Sequence, residues 1–130
     1  MNITEITSTK KQTAERLRLA PYCRVSSDST DQLHSFAAQI RYYSDYAKKH
    51  PEYQLVDIYA DEGITGTEMK KRNELNRLIA DCRKGKVDRI IVKSVSRLAR
   101  NTEELLVLLW MCKEIGVSVY FEEQGIDTEK

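Results

Sequence analysis

A hydroxyl set among several guanidinium groups is the chemically suggestive feature of this sequence. Arg24 and Ser26 stand two residues apart at the end of LAPYCRVSS, and Arg97 and Arg100 stand three apart in KSVSRLARNT. Arg72 opens a further basic stretch. Guanidinium forks match phosphate oxygens and stay charged at any relevant pH. A serine among them suits phosphoryl transfer to a hydroxyl. The cations would take up charge on the phosphate as a fifth bond forms, and would help the serine act as nucleophile. The competing reading is an arginine network that only holds structure together.

Other chemistries are poorly served. There is no GxxxxGK[ST] loop, and GITGT lacks the strand–GxGxxG–helix setting of a dinucleotide site. His34 reads as a surface or boundary residue and His50 as a helix-end dipole partner, so a Ser-His-Asp hydrolase has no base. Asp61 and Glu62 could face Mg²⁺, but an acidic pair in a turn is expected to be solvated. Cys23, Cys82 and Cys112 lie far apart with no CxxC pair, which argues against zinc and against disulfides. A thiol phosphatase would need arginine six residues after its cysteine, where Cys23 has Ser29.

The reactive residues must sit on elements, and the apolar pattern supplies them. Residues 18–25 read as a strand, and residues 53–60 (YQLVDIYA) as a second. Residues 88–93 (DRIIVK) and VSVYF read as a third and a fourth. Between them, Leu33, Phe36, Ala37, Ile40, Tyr43 and Ala47 recur at helical spacing, with Pro51 beyond the end. Leu75, Leu78, Ile79 and Cys82 mark a second helix that stops near Gly85. Asn101 with Glu104 resembles a capping box before LLVLLWMC. That last helix is apolar nearly all round, which predicts deep burial, or less commonly a protein interface. DEGITGTEMKK reads as a loop. Strands alternating with helices predict an α/β domain of three layers, doubly wound around a mostly parallel sheet of four strands. In such sheets ligands bind beyond the carboxyl ends of the strands. That rule selects the loops holding Arg24 and Ser26, Asp61 to Gly66, and Lys93 to Arg100. Strand alternation puts Tyr22, Arg24 and Ser26 on one side.

The 130 residues suffice for one domain with a real core. Residues 1–17 read as a flexible lead-in and 18–130 as the domain. No apolar run approaches the roughly 20 residues that span a bilayer, and no signal core precedes the first strand, so a reducing cytoplasm is expected. The net charge is only +1. Yet eleven of the 21 Lys and Arg, against three of the 20 acidic residues, fall between positions 70 and 100. That segment is a candidate phosphate-binding face, or else a solvated helix and loop.

Four blocks in order now resemble the serine recombinases, the resolvase/invertase family. They are YCRVSS with Gln39 following, DEGITG with Arg72, Leu75 and Leu78, IIVKSVSRLARNT, and GIDTEK. The wording is most similar to the large serine recombinases of phages and conjugative transposons. The resemblance implies that Ser26 attacks a DNA phosphodiester to leave a 5′-phosphoserine link and a free 3′-OH. It implies that Arg24, Arg97 and Arg100 cradle the scissile phosphate, with Arg72, Gln39, Lys93 and Ser96 in support. It implies DNA as partner and homodimers or homotetramers of the full-length protein. It implies no metal, nucleotide or other cofactor, because the covalent link conserves the phosphodiester energy. It further implies a mixed five-stranded sheet whose fifth strand would lie beyond this chain's end. The assembly helix and the DNA-binding domains of the family would also lie outside the catalytic domain seen here.

Two residues depart from the pattern. Ser96 stands where small family members carry an acidic residue, although serine recurs there in the large subgroup. Pro21 interrupts strand one and predicts a bulge or an early strand start. Ser26 is preferred over Ser27 and Ser29 because it alternates onto the side of Arg24 and sits at the motif position. The reading from a different class is a non-catalytic interaction or DNA-associating module on the same fold.

Overall fold

Leu19, Ala20, Tyr22 and Cys23 have almost no exposed surface, so both faces of the first strand are covered. The computed structural model describes residues 16–26, 35–63 and 72–129, except for the side chain of Ser26. Strand β1 (Leu17–Ser26) lies inside the sheet. β4 (Arg89–Val92) flanks one side. On the other side β2 (Tyr53–Leu55) pairs with its first half and β3 (Tyr59–Gly63) with its second. β5 (Ser118–Phe121) follows β4, and these strands all run parallel. β6 (Ile126–Asp127) turns back antiparallel along β5. The truncated fifth strand position therefore lies within GIDTEK rather than beyond Lys130.

Alternation along the strands divides the core in two. Leu19, Cys23 and Ile91 meet Tyr43 of α1 (Phe36–Lys49) on one face. Ala20, Tyr22, Ile90, Val92, Val119 and Phe121 face the other way. There they meet Leu75, Leu78 and Cys82 of α2 (Asn73–Arg83), Leu98 of the short α3 (Val95–Leu98) and Cys112 of α4 (Thr102–Glu114). Burying each large side chain contributes about 1.5–3 kcal/mol. The three-layer, mostly parallel α/β architecture matches the sequence reading.

Pro21 causes no bulge, and β1 starts at Leu17, one residue ahead of the expected position 18. Pro21 is fully buried and in register with Ile91 of β4. The N–H of Leu17 donates to the Glu52 carbonyl, and the carbonyl of Leu19 accepts from Val56. The carbonyl of Arg18 instead accepts from Asp88, beside β4. Odd-numbered residues of β1 thus turn their backbone groups toward β2 and β3, and even-numbered ones toward β4. The missing N–H of Pro21 points at the gap between β2 and β3, where no ladder partner is lost. Asp57 makes that gap, its carboxylate accepting from the Ile58 N–H at 2.8 Å. The strand expected over residues 53–60 is split there.

Three further expectations are corrected. Asp61 to Gly63 form the end of β3 rather than a loop, because Arg24, Val25 and Ser26 offer them a ladder. On α1, capped by the Ser35 hydroxyl at 3.1 Å, the buried stripe runs through Gln39 and Tyr43, and Phe36 is exposed. On α4 only Cys112 is buried, while Val107 and Trp110 are 69% and 65% exposed. A helix in an outer layer reaches the sheet with one side, and all-round apolarity cannot say which side faces out.

Candidate active site at the carboxyl edge of the sheet

Arg24, near the end of β1, is in register with Asp61 of β3. Across the same edge stand Lys93, one residue past β4, and Arg97 in α3. With Tyr22, Cys23 and the buried Gln39 of α1, these cations line one small recess. The Arg24 Nε is buried and, among the described residues, has no hydrogen-bond partner. Among the described residues, no carboxylate pairs with Arg24, Arg97 or Lys93; the Lys93 ammonium lies 5.1 Å from the centre of the Tyr42 ring. Positive groups gathered without a counter-charge form a site ready for an anion. Ser26 closes β1 opposite Gly63 at this edge, and its side chain lies outside the described part.

Arg72 is placed differently. It precedes α2, its side chain is only 10% exposed, and it reaches across to the loop after β4. Its Nη2 donates to the carbonyls of Leu98 and, at 3.3 Å, Arg97, while Nη1 meets Glu104 Oε1 at 3.0 Å. Its Nε is buried and unpaired among the described residues. The guanidinium thus clamps the turn that carries Arg97.

Asp61 is buried, contrary to the expected solvated pair, and Glu62 beside it is exposed. The Asp61 carboxylate accepts from the N–H groups of Glu74 and Leu75 at 2.9 and 3.1 Å, capping α2 from a neighbouring strand. It also accepts the Tyr22 hydroxyl at 2.7 Å. Burial first, and then this bond, holds the Tyr22 phenol far above its ordinary range, so it remains a donor.

Arg100 and Ser96 line a neighbouring recess rather than the one holding Arg24 and Arg97. Arg100 is half exposed and its Nη2 contacts Glu104 at 3.4 Å. Ser96 is exposed, with its hydroxyl 3.1 Å from that of Ser94. The cysteines are free and buried. Burial pushes the Cys23 thiol up to about 12, which removes it as a nucleophile.

The family model for the resolvase N-terminal domain matches residues 19–130. The chain belongs to the resolvase family. Two solved structures support the assignment. The N-terminal catalytic domain of TP901-1 integrase superposes with a TM-score of 0.73 at 26% identity, covering 87% of this chain and 83% of that one. A resolvase family site-specific recombinase from Streptococcus pneumoniae gives 0.70 at 31% identity, covering 88% and 77%. The C-terminal catalytic domain of an IS607-like serine recombinase shares the fold, with a TM-score of 0.65 at 24% identity over 82% and 70% of the two chains. No curated protein matched the sequence. This is the catalytic domain of a site-specific serine recombinase. No helix among its described residues is long and apolar enough to cross a membrane.

In the resolvase domain the basic segment between positions 70 and 100 does not form one face. Arg77 bonds Glu74 and Asp57 and stacks over Tyr59, and Arg89 is buried against Asp127. Only part of the segment reaches the carboxyl edge. Sequence reasoning put Tyr22 on the side of Arg24 and Asp61 at the carboxyl edge, but missed the hydrogen bond between them and the contacts of Glu104 with arginines. For Glu104 the one signal was its spacing from Asn101. The Glu104 N–H does donate to the Asn101 side-chain oxygen at 2.8 Å, but the Glu104 carboxylate turns to arginines instead of back to Asn101.

Proposed function

We propose that Ser26 is the nucleophile of this recombinase, with Arg24, Arg97 and Lys93 as the first ligands of the scissile DNA phosphate and Arg100 joining from the adjacent recess. The serine Oγ–phosphorus bond forms as the phosphorus–O3′ bond breaks, and the serine proton passes to the departing 3′ oxygen. The 5′-phosphoserine link keeps the phosphodiester energy, and attack by a 3′-OH from an exchanged strand reverses the step. Gln39 lines the recess and orders its floor. Ser96 is exposed and its hydroxyl lies beside that of Ser94, which supports a place at the rim. Arg72 supports the site through the backbone it clamps. No step calls for a metal or a nucleotide.

The observation that carries this reading is the gathering of Arg24, Lys93 and Arg97, without carboxylate partners among the described residues, at the edge where β1 ends in Ser26. The phosphate backbone of a crossover site is the substrate that suits it, and such contacts position DNA without reading its sequence. Exchange of strands needs several copies, and the exposed Leu106, Val107 and Trp110 of α4 support a part for that helix in a homodimer or homotetramer. For a bacterial or mobile-element recombinase, a DNA substrate supports a cytoplasmic setting. The test is to incubate the full-length protein with supercoiled DNA carrying its site, trap the covalent complex and map the adduct. A DNA adduct on Ser26 that disappears in Ser26→Ala is expected; an adduct that persists in Ser26→Ala sinks the assignment. A parent protein that binds DNA with no adduct at all would favour the non-catalytic module.

A further inference from the structure

One carboxylate in the domain serves two arginines that arrive from different elements. Glu104, in the first turn of α4, accepts from Arg72 Nη1 at 3.0 Å and from the backbone N–H of Arg100 at 2.9 Å through a single oxygen, Oε1. Its other oxygen meets Arg100 Nη2 at 3.4 Å. Those bonds hold the Glu104 carboxyl below the usual carboxylate range, the Arg100 backbone bond contributing most. Beyond Glu104 the connections continue. Arg72 holds the carbonyls of Arg97 and Leu98 and reaches the Tyr22 hydroxyl at 3.5 Å, and Tyr22 is anchored on Asp61. The contacts also differ in kind. Arg72 is almost fully enclosed, whereas the Arg100 guanidinium is half exposed and loosely held.

We propose that Glu104 is a positioning residue for DNA cleavage, keying the Arg72 clamp to the main chain of Arg100 so that Arg97 and Arg100 are held in a set relation before DNA arrives. The tight Arg100 bond is to its backbone. Its guanidinium can therefore leave the carboxylate for a phosphate oxygen while its Cα stays in place. Arg72 stays on the carboxylate throughout. The inference rests on reading Arg97 and Arg100 as phosphate ligands.

The test compares Glu104→Ala and Glu104→Gln with the parent, using single-turnover adduct formation on site-bearing supercoiled DNA and ¹⁵N spectra of the arginine Nε–Hε groups without DNA. Glu104→Gln keeps an oxygen for Arg72 Nη1 and the Arg100 N–H. At saturating DNA, Glu104→Ala is expected to slow adduct formation by about tenfold or more, with the half-saturating DNA concentration changed by less than about threefold. Glu104→Gln is expected to recover to within about threefold of the parent. The Arg72 and Arg100 resonances should move together in Glu104→Ala. A Glu104→Ala rate within about twofold of the parent overturns the proposal, as does equal loss in both variants with an equal fall in melting temperature. If the parent itself yields no adduct, the nucleophile reading fails and the spectra alone decide: joint movement of the two resonances supports the keying, and an unchanged Arg72 signal in Glu104→Ala overturns it.

Discussion

The Tyr22 hydroxyl donates to Asp61 Oδ2 at 2.7 Å, and the same carboxylate caps α2 through Glu74 and Leu75. This joint ties β1, β3 and the start of α2 directly beneath the arginine-lined edge. Asp61→Ala removes a helix cap and leaves a buried phenol without its acceptor, so a loss of roughly 2–4 kcal/mol is expected. Tyr22→Phe should cost about 1 kcal/mol. Urea unfolding of both single variants and the double variant checks this. The joint is refuted if the two losses simply add, since contacting groups should show a coupling of at least about 0.5 kcal/mol.

The unpaired cations set function against stability. Arg24→Gln and Arg97→Gln each remove a positive charge from a recess shared with Lys93. Each should leave stability unchanged or raise it by about 0.5 kcal/mol, while DNA cleavage falls by about a hundredfold. Melting temperatures and cleavage rates measured on the same preparations decide the matter. A clear destabilisation in either variant would mean that the arginine serves the fold rather than the phosphate.

The exposed Leu106, Val107 and Trp110 of α4 lie outside the core, while its other apolar residues pack against it. Trp110→Gln should change unfolding free energy by no more than about 0.5 kcal/mol. Cys112 sits on the buried side of the same helix, so Cys112→Ser should cost about 1–3 kcal/mol. Denaturant titration of dilute protein separates the two, and a large loss at Trp110 would place that side chain in the core after all.

Asp88 gives the domain a pH dependence. The Arg18 side chain donates to it at 2.9 Å through both Nε and Nη2, and the Arg18 backbone N–H at 2.8 Å. The guanidinium bonds, ahead of the backbone one, lower the pKa of Asp88. A carboxyl depressed by folding stabilises the native state above its unfolded pKa of about 3.9. That gain disappears as pH falls through the lower, folded value. The pair is partly exposed, so its worth is under about 1 kcal/mol. The gap in melting temperature between the parent and Asp88→Asn should be constant above about pH 5 and should shrink toward about pH 2. A gap that stays the same at low pH would rule this out.

Periodicity, spacing and capping signals carry a great deal in this chain. The alternation of β1, the helical spacing of Leu75, Leu78 and Cys82, the cap at Asn101 and the four ordered motif blocks are local in sequence. Together they lead to a parallel α/β sheet, its carboxyl edge and the proposal of a phosphoryl-transferring serine among arginines. Local patterns carry this much because a strand repeats every two residues and a helix about every 3.6.

Relations between distant elements were decided only in three dimensions. Pro21 is tolerated because the neighbouring strand breaks beside it, which no pattern within β1 can state. Asp61 becomes a buried cap because the start of α2 lies over it. Arg72, one more arginine of a basic stretch in the sequence, is an enclosed clamp, while Arg24 and Arg97 remain without a counter-charge among the described residues. Sequence alone determines which side chains can bond or ionise. Whether a charge meets a carboxylate, a carbonyl or an empty recess depends on which chain segments tertiary packing brings within about 3 Å, the reach of a hydrogen bond.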